Sequence, residues 1–197
     1  QLFEVAQKAG MKTMRDDGDR LVAEGVTNRG YSALSLAGSN LWQSGDRGLV
    51  PYRVSSSGDF GFDFFDPAGT DPLSVAVSSL LRETQVDPFA HTWVQMMTRS
   101  IDNQRILSDA LSASALATAF PGSGLGRQLQ MAARLIGARH RLGLQRQCFF
   151  TSLGGFDTHG DDQLQRQNEL LGELAAAMAA FQAAMAELGV EREVTLF

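Results

Sequence analysis

The run QCFFTSLGGFDTH, residues 147–159, constrains the fold of this chain more than any other stretch. Cys148, Phe149, Phe150 and Leu153 form an apolar segment with little alternation, the pattern of a strand covered on both faces of a parallel sheet. Gly154 and Gly155 end it and permit a tight turn. Asp157 and His159 follow directly, beyond the carboxyl end of the strand. In open α/β sheets that crevice holds ligands and catalytic groups. The sequence predicts a strand over 147–153, and any reaction centre belongs just after it.

The next segment supports an α/β arrangement. Between Gln163 and Leu188 the apolar residues are Leu164, Leu170, Leu171, Leu174, Met178, Phe181, Met185 and Leu188. From Leu170 onward they recur in the threes and fours of a helix. Alanine fills most remaining positions and favours helix intrinsically. Asp161 or Asp162 is suited to cap the start, and Gly189 to the left-handed position after the last turn. Val194, Leu196 and Phe197 read as the beginning of another buried strand. Strand, helix and strand would form a right-handed crossover, with 147–153 and 193–197 parallel. Upstream, Leu125, Leu129, Ala132, Ala133 and Ile136 share one helical face between Gly126 and Gly143. Arg127, Arg134, Arg139 and Arg141 fall largely off that face, as a solvated surface would place them. Their other reading is the steering of an anion toward a nearby site.

Residues 1–120 form a loop- and helix-rich part, and 121–197 a helix–strand–helix–strand core. Leu2–Ala9 reads as a short helix, and YSALSLAG, 31–38, as a strand ending in glycine. Leu49–Val54 reads as a second strand, which Pro51 pushes toward an edge. Residues 55–71 read as a surface loop pinned by phenylalanines. Asp71-Pro72 opens a helix to about Thr84 with Leu73, Val77, Leu80 and Leu81 inward. A longer helix from Pro88 carries Phe89, Trp93, Met96, Met97, Ile101 and Leu107, and Phe120-Pro121 stops the chain beyond it. The sequence starts at Gln1 without a secretory signal and stops at Phe197 within an apolar run. It reads as an internal portion of one longer domain.

The 197 residues suffice for one substantial core. Seventeen basic and 22 acidic residues give net −5, which weighs against nucleic acid as a partner. No apolar stretch approaches the roughly 18 residues of a membrane span. The single cysteine, Cys148, excludes an internal disulfide and reads as a core residue.

Several signals have ordinary explanations. GSGLG, 122–126, resembles a phosphate loop, but it follows a helix and Arg127 replaces the last fingerprint glycine. Asp16, Asp17 and Asp19 lack the spacing and closing glutamate of a calcium loop. His91 and His140 lie on predicted helices, where structural roles dominate. Ser152 has no nucleophile elbow around it. Asp157 and His159 admit a plain turn in which the carboxylate bonds a following amide. They also supply two donors suited to zinc, and tolerated by manganese or iron.

GGFDTH, followed by an alanine- and leucine-rich helix, closely resembles the bacterial family called domain of unknown function 1501. The likeness extends through FPGSGLGRQLQMAARLIGAR, 120–139, and more loosely to SLAGSNLWQSG, 35–45. That family looks like a branch of the alkaline phosphatase and sulfatase superfamily, with a parallel sheet flanked by helices and a metal centre. The resemblance implies that Asp157 and His159 are metal ligands and that the protein is exported to the periplasm, often under a twin-arginine signal. It also implies that the nucleophile and remaining ligands lie outside this chain. The superfamily usually separates aspartate and histidine by three residues, where this chain has only Thr158. Two functions follow as expectations. One is an exported metal-dependent hydrolase of small anionic phosphate or sulfate esters. The other is a non-catalytic exported binding or assembly protein that keeps the fold.

Overall fold

The computed structural model describes residues 31, 33–38, 43, 52–58 and 65–197. Among them the strands are β1 (Ala33–Ser35), β2 (Tyr52–Arg53) and β3 (Cys148–Phe150). The helices are α1 (Pro72–Arg82), α2 (Pro88–Ser112), α3 (Gly124–Gly137) and α4 (Gln163–Glu187). The expected helix at Leu2–Ala9 and the Asp16–Asp19 turn lie outside the described residues. The chain divides into two units, residues 1–58 with 114–197, and residues 59–113.

The first unit is α/β, with a small parallel sheet in the order β2-β1-β3. Leu34 pairs with both Tyr52 and Phe149, so β1 is the central strand, and it is fully buried there. β2 lies at one edge of the described sheet, where the sequence placed it. Gln43 ties the sheet together from outside it. Its Nε2 donates to the carbonyls of Leu34 and Cys148, each at 3.2 Å. Tyr31 and Tyr52 meet edge to face at 5.4 Å between ring centres. Burial, with a smaller contribution from Tyr52, pushes the Tyr31 phenol up to about 12.

α3 begins at Ser123, whose hydroxyl accepts from the Gly126 amide. Gly126 is needed because a Cβ there would collide with the carbonyl oxygen of Pro121. That close approach accounts for the last glycine of GSGLG. The expected face of Leu125, Leu129, Ala132, Ala133 and Ile136 is buried throughout. α3 ends at Gly137, and a further helical turn carries the chain to Gly143 at φ +65°. There Leu144 N–H closes on the Arg139 carbonyl at 2.8 Å.

α4 packs on α3. It buries Leu170, Ala177, Phe181, Ala184 and Met185. Asp162 precedes it without a side-chain capping bond. At the other end Gly189 adopts φ +66°, its N–H bonds Ala186, and Val190 N–H reaches back to Met185 at 2.9 Å. This pair of reversed bonds satisfies the last carbonyls. Glu187, in the last turn, accepts from the Ala117 and Thr118 amides and the Thr118 hydroxyl at 2.6–2.8 Å. It thereby fastens the segment that leads into α3.

The strand expected at 193–197 does not form. After Val190 a turn runs to Glu193, whose N–H bonds the Val190 carbonyl, and 194–197 continue without pairing. Leu196 and Phe197 are exposed. A strand exists only by pairing, and the described partner of β3 is β1. β3 is also shorter than the expected 147–153 and only half-buried.

In the second unit, α1 starts behind Asp71, whose carboxylate accepts from the Leu73 and Ser74 amides. α2 starts behind Asp87, which accepts from Ala90. Both place proline just inside the first turn. Leu73 and Leu80 are half exposed rather than inward, while Ser74 is buried and accepts from the Asp66 amide. Phe89, Trp93 and Met96 also face outward on α2. No described helix is long and apolar enough to cross a membrane.

Candidate functional site

β3 delivers its chain into a segment, Thr151–Asp162, that is neither strand nor helix before α4 begins. Two side-chain amides hold this segment. Gln128 of α3 accepts from Ser152 N–H at 2.9 Å and donates to the Ser152 carbonyl at 3.1 Å. Gln167 of α4 donates to the Thr158 hydroxyl at 3.0 Å. Gly155 takes φ +93°, a conformation that side chains rarely adopt, and a Cβ there would sit 3.6 Å from Leu170. Thr158 N–H bonds the Phe156 carbonyl at 3.0 Å.

Asp157 and His159 emerge on either side of Thr158. Asp157 Oδ1 and His159 Nε2 lie 2.7 Å apart, with side chains 89% and 80% exposed. The two residues are therefore brought together, on open surface rather than within a walled cavity. An exposed pair of this kind contributes little to stability. Its chemistry is that of a carboxylate that orients an imidazole, or of two donors ready to turn toward a cation.

The donors fit a divalent ion in kind. Bonds of about 2.0–2.2 Å in tetrahedral geometry set neighbouring ligand atoms roughly 3.4 Å apart. The observed 2.7 Å is a hydrogen-bond distance, so metal binding requires the two side chains to part slightly. Both are free enough to do so. The number of donors is not sufficient, because no group of three or more His, Cys, Asp or Glu side chains converges among the described residues. Further ligands would have to come from elsewhere.

The other candidates behave as their local chemistry dictates. Ser152 is held through its backbone by Gln128. His91 is exposed and shares a 2.8 Å hydrogen bond with Gln95 one turn on. His140 is exposed in the turn after α3. Cys148 is half-buried, and burial raises its thiol pKa against the opposing hydrogen bond from Gln43, which disfavours a reactive thiolate. Arg127 and Arg139 each donate to nearby carbonyls, of Gly122 and Ile136, rather than projecting as free anion contacts. In the second unit a shallow groove of about 200 Å³ has Leu81 and Ile101 beside Arg82 and Asp102. It is smaller than the roughly 300 Å³ at which small-molecule pockets begin.

Gln128 and Gln167 are the residues that sequence reasoning missed. A glutamine on a helix carries no periodic or spacing signal of its tertiary partner. No protein-family model, no curated protein and no solved structure matches this chain.

Proposed function

We propose that Asp157 and His159 are two ligands of a divalent-metal centre in an exported, alkaline-phosphatase-like hydrolase of phosphate or sulfate esters. The observation that carries this reading is the convergence of a carboxylate and an imidazole, 2.7 Å apart, beyond the carboxyl end of a parallel strand. Zinc suits the pair best, with manganese and iron tolerated. Such a metal, when bound, supplies Lewis-acid polarisation of an ester oxygen. Asp157 contributes an anionic oxygen and His159 a neutral ring nitrogen. Their exposure leaves the substrate side open to a small anion. The family resemblance of GGFDTH supports both the hydrolase class and export.

The test is metal content by elemental analysis, with hydrolysis of p-nitrophenyl phosphate and p-nitrophenyl sulfate. The full-length protein retains zinc, and D157A/H159A in it loses both the metal and the hydrolysis while its metal-free form melts with that of wild type. Equal metal content in the two proteins sinks the reading.

A second reading rests on a different observation. Phe89, Trp93 and Met96 form an outward apolar line at helical spacing on α2, with Phe89 86% exposed. Such a line suits an exported binding or assembly protein that keeps the fold without the chemistry. A metal-free protein without esterase activity would favour it.

A further inference from the structure

We propose that Gln128 and Gln167 are positioning residues that aim Asp157 and His159 to one side of the chain. The proposal rests on the reading of that pair as metal ligands. The segment after β3 carries Gly154, Gly155 and Gly160, and has no ladder or helix of its own between Thr151 and Asp162. A stretch of this composition loses much conformational entropy when it is ordered. Something outside it must fix its direction.

Gln128 does so at the first end. Its amide presents one acceptor and one donor, as a peptide group does. It meets both backbone polar atoms of Ser152, at 2.9 and 3.1 Å. A two-point contact sets the rotation of the backbone as well as its place.

Gln167 does so at the second end. Its Nε2 holds the Thr158 hydroxyl at 3.0 Å, and Thr158 is half-buried between two exposed neighbours. Thr158 N–H also bonds the Phe156 carbonyl at 3.0 Å, a three-residue turn centred on Asp157 that brings its side chain round toward that of His159. Drawing Thr158 toward α4 turns Asp157 and His159 outward together, which matches their 2.7 Å approach. The single residue between the donors is thus the handle by which the helix sets them. A hydroxyl is what the handle requires, and either threonine or serine supplies it.

The test uses the full-length protein with Q128L, Q167L, T158V and T158S. In the metal-free protein, Ser152 amide exchange accelerates at least tenfold in Q128L. Backbone ¹⁵N relaxation shows added mobility at 157–159 in Q167L and T158V, while T158S resembles wild type. Zinc affinity, by competition with a chromophoric chelator, falls about 10–100-fold in Q128L, Q167L and T158V, as loss of an outer-shell partner does. T158S stays within about threefold of wild type, and melting temperatures hold, as expected for positioning contacts. Unchanged exchange in Q128L and unchanged mobility in Q167L overturn the proposal whatever zinc does. Loosened backbones with undiminished zinc affinity overturn it as well, provided D157A/H159A loses the metal. If the backbones loosen but D157A/H159A retains zinc, the clamps stand and the metal reading falls.

Discussion

At the residue scale, one side chain can fasten two distant stretches. Glu187 takes three hydrogen bonds from Ala117 and Thr118, and these hold its carboxyl below the usual glutamate value of 4.5. A depressed folded-state pKa contributes stability that is present above the unfolded value and lost as pH falls through the folded one. E187A is therefore expected to melt below wild type at neutral pH. The gap in melting temperature should narrow as pH drops through and below 4.5, and thermal scans across that range check it. Nothing in the sequence singles out Glu187, because its partners lie 69 and 70 positions away. The same holds for Gln128 and Gln167, whereas Asp157 and His159 stand out because their chemistry is written side by side.

At the scale of elements, the helices were readable because their signals are local. Asp71-Pro72, Asp87-Pro88 and Gly189 mark ends through bonds to their own neighbours. The strand expected at 193–197 failed because a strand depends on a partner that its own residues do not name. The apolar period of α4 also promised more burial than occurs. Ala177 and Ala184 are buried, while Leu164, Leu171 and Met178 remain partly in solvent. Small side chains let helices approach closely, and Ala132 and Ala133 on α3 are likewise fully covered. Burial thus follows the line of approach rather than hydrophobicity alone. Accordingly, F181A should cost about 3–5 kcal/mol as a large side chain lost from the core. L164A, at a position 70% exposed, should stay within about 0.5 kcal/mol. Urea unfolding of the two variants measures both.

At the scale of the whole molecule, the α/β class was readable and the sheet's membership was not. The expected crossover joined neighbouring segments, but β3 instead pairs with β1 from the far end of the sequence. Gln43 spans the same gap, bonding Cys148 across 105 positions. α3 and α4, by contrast, follow one another with only β3 between them. Closing a long loop costs entropy before its contacts repay it, and such topologies form slowly. Refolding should then proceed in two stages. Far-ultraviolet circular dichroism in a stopped-flow experiment should recover helix first. The near-ultraviolet signal of the Tyr31–Tyr52 contact should lag, and simultaneous recovery of both signals would refute this order. The segment bearing Asp157 and His159 is tied to α3 and α4 by side chains, and its first residues are placed only once β3 has joined the sheet. During synthesis, the pair therefore acquires its final orientation late, after the amino-terminal strand has waited for its neighbour to emerge.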